Sequence, residues 1–202
     1  MKATHAHNQA QPLEYSTEQN NLNILGFWIF LGAEIMLFGT LFASYFTLEG
    51  RTGSGPSGAE IFEITPVLFE TLILLTSSFT IGLAVHAMRI KRKKATLAFL
   101  AITLLLGLGF LGIEIFEFMH YVHVGAGLQT SAFTSILLTT LGTHGAHVTF
   151  GLFWGAFIFA QIKKRGLTPE TANKSFIFSL YWHFLDVVWI FIFSFVYLKG
   201  MM

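Results

Sequence analysis

Cysteine is absent from the 202 residues. Its absence excludes disulfides, thiolate zinc sites, iron–sulfur clusters, thiolate-bound copper and covalently attached c-type haem. Any metal would have to rest on His and carboxylates. Charge is also scarce: Asp, Glu, Lys and Arg make up 11% of the chain, against about a quarter in an ordinary soluble domain. The net charge of +1 leaves no broad basic face, so nucleic acid is excluded as a partner. Proline occurs four times and never deep inside an apolar stretch. What remains is 53% hydrophobic and 16% aromatic, a composition for which water cannot be the main solvent.

The beginning of the chain lacks the basic-then-apolar order of a signal peptide, because Met1 to Asn23 is polar and carries Glu14 and Glu18 against a single Lys. Residues 1–24 are therefore expected to form a polar tail, with a composition that favours disorder unless a partner holds it. Residues 25–202 contain five apolar stretches, at about 26–48, 66–88, 95–119, 132–162 and 176–198. Each exceeds the roughly 20 residues needed to cross a hydrocarbon core. In a bilayer every backbone polar group must be satisfied within its own segment, so stretches of this length become helices. The expected fold is all-α, an integral membrane bundle of five transmembrane helices forming one domain. The fourth stretch is longer than a bilayer requires, so it is expected to tilt or to project from the membrane.

Lys and Arg are retained on the cytoplasmic side of short loops. Five crossings put Lys2, the cluster Arg89, Lys91, Arg92, Lys93 and Lys94, and the group Lys163, Lys164, Arg165 and Lys174 on one side. Only Arg51 and Lys199 fall on the other. This asymmetry predicts the N-terminus inside and the C-terminus outside.

A charge near the centre of a membrane helix costs about 2.5–3.5 kcal/mol on insertion scales, so ionisable residues inside the spans call for an explanation. Glu34 lies about 12 Å into the first span at 1.5 Å per residue. His144 and His147 lie three apart on the fourth span, as do His183 and Asp186 on the fifth, so each pair shares a helix face. These five side chains could serve a metal or a proton path, or could bond one helix to another at about 0.6 kcal/mol per hydrogen bond. The interhelical role is favoured, because metal and haem sites draw several His at matched depth from facing helices. Glu117 and His120 have the carboxylate-x-x-His spacing of di-iron bundles, but no second copy accompanies them. They are expected, with Tyr121 and His123, at headgroup level.

Gly107, Gly109 and Gly112 spell a dinucleotide-binding pattern, which requires a preceding strand and is excluded inside an apolar helix. Gly151 and Gly155 form a G-x-x-x-G that lets helices approach closely. Asn173-Lys174-Ser175 matches a glycosylation sequon, but on the predicted inner side it is expected to stay unmodified.

Three runs carry a family resemblance: Leu25-Gly26-Phe27-Trp28-Ile29-Phe30-Leu31-Gly32-Ala33-Glu34, Gly142-Thr143-His144-Gly145-Ala146-His147-Val148, and Tyr181-Trp182-His183-Phe184-Leu185-Asp186-Val187-Val188-Trp189-Ile190-Phe191. From about Asn21 to the C-terminus the chain resembles subunit III of the bacterial haem–copper terminal oxidases. The stretches Leu22 to Trp28, Glu114 to Phe133 and Lys163 to Pro169 look closer to the quinol oxidase subunits of Gram-positive bacteria than to the cytochrome c oxidase version.

The resemblance implies a multi-pass subunit in the bacterial cell membrane that carries no haem or copper, those sites belonging to subunit I. It implies as partners subunits I and II, a small subunit IV and phospholipid, the lipid held in a cleft between the first two spans and the remaining three. Glu34, His144, His147, His183 and Asp186 then match lipid-cleft or interhelical polar positions, and no residue is catalytic. The complex would oxidise menaquinol or ubiquinol, reduce dioxygen to water and translocate protons. An independent membrane transporter is the alternative of another class, disfavoured because no internal repeat or mid-membrane helix break is present.

Overall fold

A computed structural model describes residues 12–53 and 55–201. Residues 1–11 of the expected tail lie outside the described residues. Among the latter, five helices are long and apolar enough to cross a membrane. They are α1 (Glu18–Leu48), α3 (Ile64–Arg89), α4 (Lys93–His123), α5 (Ala132–Arg165) and α6 (Pro169–Phe191), with a single-turn helix, α2 (Gly58–Ile61), between the first two. At 1.5 Å per residue, the 34 residues of α5 span about 51 Å, well beyond a core about 30 Å thick.

Local chemistry sets the helix ends. The Thr17 hydroxyl accepts from the Asn20 amide at the start of α1. Capping boxes join Ser131 to Thr134 at α5 and Thr168 to Thr171 at α6, where Pro169 occupies the first turn and loses no intrahelical bond. Gly166 ends α5 at φ 80°, a backbone conformation that glycine adopts without strain. Beyond Phe191 the last helix widens into a π-helical stretch, Ile192–Leu198.

α3 lies along α4, α4 along α5, α5 along α6, and α6 closes the ring against α3; α1 packs outside it, on α5 and α6. The first two spans therefore do not stand apart as a pair, and the division expected for a lipid cleft is not found between the described helices. The physical reason is a polar seam between α3 and α6. Trp182 Nε1 donates to the Ser77 hydroxyl at 2.9 Å and Trp189 Nε1 to the Thr71 hydroxyl at 3.0 Å. Both Trp rings are fully buried, and their indole N–H groups need such acceptors.

Glycine permits the closest helix approaches. A Cβ on Gly155 would stand 2.6 Å from Leu104 on α4 and 2.7 Å from Phe178 on α6, and one on Gly107 would meet Trp182 at 2.7 Å. A Cβ on Gly151 would stand 3.1 Å from both Trp182 and Tyr181. The outer faces present Ile29, Met36, Phe79, Phe116 and Phe153, each more than two-thirds exposed, as suits side chains facing lipid.

The stretch read as a tail is partly built into the bundle. A 3-10 turn at Leu13–Tyr15 buries Glu14, whose carboxylate meets Arg89 Nε at 2.8 Å, and Tyr15 packs on Phe176. The Asn173 amide donates to the carbonyls of Glu14 and Asn20, each at 3.1 Å, and Asn20 donates to the Pro169 carbonyl. Asn173 is buried in this role, which leaves no room for a glycan on the sequon. Composition missed this ordering because the partners lie some 150 residues away in sequence.

Candidate functional site

The basic loops gather at one end of the bundle; depth is counted here from the other, the far end. Glu34 is 14 residues from the end of α1 and His147 is 15 from the start of α5, so both lie about 21–23 Å deep. Glu34 Oε2 and His147 Nε2 are 3.0 Å apart. His147 Nδ1 is 2.7 Å from the Thr143 carbonyl, which can only accept, so Nδ1 carries a hydrogen. One further proton is then shared between Nε2 and the carboxyl. The Tyr181 hydroxyl donates to the His147 carbonyl at 2.9 Å, so α1, α5 and α6 meet at this point.

His183 bonds through Nδ1 to the Ser78 hydroxyl at 2.7 Å and links α6 to α3. Asp186 is buried on the same side of α6 with no hydrogen-bond partner for either oxygen. His144 is fully buried with both ring nitrogens unpartnered, boxed by Phe38, Phe110 and the Trp189 ring, whose centroid lies 5.4 Å away. The five ionisable residues singled out from sequence thus fall into separate places: Glu34 joins His147, His183 joins Ser78, and His144 sits among aromatic rings. Among the described residues no group of three His or carboxylate side chains could hold a metal ion.

Nearer the far end lies a second cluster that the sequence reading passed over. Glu117 Oε2 accepts from the Tyr197 hydroxyl at 2.9 Å and from the Tyr121 hydroxyl at 3.3 Å. Glu114, one turn away, and Glu70 on α3 are buried with all four carboxyl oxygens unpartnered. The headgroup placement of Glu117 and Tyr121 is corrected: Tyr121 is buried and the Glu117 carboxyl turns inward, while His120 and His123 remain exposed. The inward turn comes from Tyr197, which the π-helical end of the last helix carries into the core. Glu70 could have been found, since it is an ionisable residue inside the second apolar stretch and calls for the same explanation as Glu34.

Beside the Glu34–His147 pair, α1 and α5 form a groove of about 520 Å³ lined by Phe27, Phe30, Phe150, Phe153, Trp154 and Phe157. Phe30 and Phe150 also line a smaller hollow that ends on His147 and Tyr181. An apolar trough with a polar floor fits a hydrocarbon chain better than a charged solute.

Residues 11–201 match the protein family described as Cytochrome c oxidase subunit III. The chain is 59% identical over 199 residues to Quinol oxidase subunit 3 of Bacillus subtilis (strain 168), covering 98% of this chain and 97% of that one. It is 49% identical to the Probable quinol oxidase subunit 3 of Staphylococcus saprophyticus, over 95% of this chain and 96% of that one. It is 48% identical to Cytochrome c oxidase subunit 3 of Bacillus sp. (strain PS3), over 95% and 93% respectively.

Proposed function

The chain belongs to the cytochrome c oxidase subunit III family, and from that premise we propose that it is the redox-silent third subunit of a bacterial respiratory oxidase whose electron donor is quinol. The observation that carries the donor assignment is the difference in identity, 59% to a quinol oxidase subunit 3 against 48% to a cytochrome c oxidase subunit 3, each over nearly the whole chain. Within this proposal the enzyme is the complex, an oxidoreductase that reduces dioxygen to water and moves protons. Haem and copper belong to subunit I; the separation of His144, His147 and His183 and the lack of Cys support that division.

The subunit acts by packing on subunit I, alongside subunit II and a small subunit IV, in the bacterial plasma membrane. Glu34 and His147 fasten α1 to α5, His183 fastens α6 to α3, and His144 and Asp186 complete the polar interior. Gly151 and Gly155 let α5 close on its neighbours. The aromatic groove between α1 and α5 takes a phospholipid acyl chain, which supports stability and sustained proton uptake. In this proposal the basic loops face the cytoplasm, with the N-terminus inside and the C-terminus outside, a reading that the Lys and Arg asymmetry supports.

The test is purification in mild detergent through a tag on this chain, followed by an absorption spectrum, metal analysis and oxygen-uptake assays. Co-purified haem and copper with quinol-driven uptake are expected. Uptake driven only by reduced cytochrome c would support instead the second reading, a cytochrome c oxidase, which the 48% relative favours. A colourless, metal-free and self-sufficient chain would overturn both.

A further inference from the structure

We propose that the space between the far halves of α3 and α4 binds a small internal water cluster, which takes up and releases a proton through the groove beside Glu117. The premise is an imbalance of hydrogen-bonding groups. Glu70 and Glu114 leave four buried oxygens without a partner and Glu117 leaves one. Buried polar groups in proteins are paired with protein or with ordered water in about nine cases of ten or more. An unpaired buried carboxylate is among the costliest exceptions.

The surroundings offer no protein donor. The Tyr121 and Tyr197 hydroxyls are both engaged with Glu117 Oε2. None of the ion pairs among the described residues involves these three carboxyls. What remains is water, together with protons on the carboxyls themselves. An internal water needs two to four polar partners, and five orphan oxygens on two facing helices supply them.

The arrangement is built rather than incidental. Glu70 is wholly buried on α3, within electrostatic reach of Glu114 and Glu117. The Glu114 carboxyl lies against α5 at Gly145, where a Cβ would come within 2.7 to 3.0 Å of it. Gly145 thus makes room for the Glu114 carboxyl, which also lines a groove of about 330 Å³ between α4 and α5. Phe62 closes it from the far end by packing on Tyr121 and Tyr197, with ring centroids 6.2 and 5.0 Å away.

The way out is lateral. A groove of about 200 Å³ between α3 and α4 is lined in part by Glu63, Glu117 and His120, and both Glu63 and His120 are exposed. The titratable groups facing the cluster are Glu63 just before α3, Glu70 from α3, Glu114, Glu117, His120 and Tyr121 from α4, and Tyr197 from the last helix; α5 contributes the Gly145 backbone. Glu117 stands at the junction, with one oxygen held by two tyrosines and the other turned to the water. The step is proton transfer alone: a proton passes from the cluster to Glu117 and on to solvent, with no change in oxidation state. A metal ion is the less suitable occupant, because no three-ligand group exists among the described residues.

The test is infrared difference spectroscopy of the full chain in its purified membrane complex, comparing light and heavy water and a series of pH values. A protonated-carboxyl band that shifts on exchange into heavy water, titrates with pH and disappears in Glu70→Gln is expected, with Glu114→Gln altering the same band. A band that neither exchanges nor responds to these substitutions would overturn the proposal. Displacement of the band by sodium or calcium at constant pH would also overturn it, in favour of a cation site. Should Glu70→Gln fail to assemble, Gly145→Ala provides the second measurement: the added methyl displaces the Glu114 carboxyl and is expected to shift the band, and an unchanged band would overturn the proposal.

Discussion

The first and last spans are alike in length and mean hydropathy, yet half of the most apolar window is buried in the last and 17% in the first. Hydropathy therefore reports that both helices enter the membrane and says nothing about which one organises the bundle. The difference lies in what interrupts the apolar sequence. α6 carries Tyr181, Trp182, His183 and Trp189, which bond to α5, to α3, to α3 and to α3 again. α1 carries one mid-membrane polar contact, at Glu34, polar contacts at its start through Asn20 and Asn23, and a long 3.5 Å bond from the Tyr45 hydroxyl to the Val196 carbonyl at its far end. A helix that only borders the bundle can be held at a few points. A helix at its centre must satisfy partners on most of its sides.

This contrast can be broken most severely at α6. Trp182→Ala removes a ring that is 1% exposed and fills the space between Gly107 and Gly151. The expected cost is about 3–5 kcal/mol, read as a fall in the melting temperature of the detergent-solubilised protein and in its membrane yield. Truncating Phe79, an exposed side chain on the lipid face outside the aromatic groove, is expected to change neither.

Asn173→Ala comes next. It leaves the Glu14 and Asn20 carbonyls without their donor, and about 1–3 kcal/mol is expected to be lost. The loss should appear as faster proteolysis near the start of α1 while the other helices stay protected. A double-mutant cycle of Glu34→Leu and His147→Leu then measures how α1 is held at mid-membrane. A coupling of about 0.6 kcal/mol, and at most about 1.7, is expected. A larger value would mean that the pair does more than fasten two helices. The smallest effect is expected at the far end, where Lys199 and Glu49 form a half-exposed ion pair at 2.6 Å. Lys199→Ala should cost about 0–1 kcal/mol, less at high salt.

The five spans were legible because length and composition decide membrane insertion almost alone, and the YWHFLDVVW run of α6 was legible as a family mark. The partners of that run were not. Nothing in the sequence assigns Trp182 to Ser77 or Trp189 to Thr71, since small hydroxylated residues recur throughout α3. Spacing did put His144 and His147 on one face of α5. It could not decide that His147 meets Glu34 while His144, three residues earlier, turns to Trp189, because that depends on how α5 is rotated. The carboxylate cluster was hidden for another reason: the spacing groups Glu117 with His120 and His123, which are exposed, although rotation about a helix separates near neighbours into opposite environments.

The place of α1 outside the ring also bears on how the protein is made. α1 packs against α5 and α6, and its polar fastenings, Asn20 to Pro169 and Asn23 to Asn173, are to residues translated about 150 positions later. While α3 and α4 can pair as soon as both are in the bilayer, α1 must wait in the lipid, with its glutamate unmatched, until α5 has followed. A chain that stops short of α5 therefore leaves an unattached helix with a lone carboxyl in the apolar phase, where an ionisable group is costly.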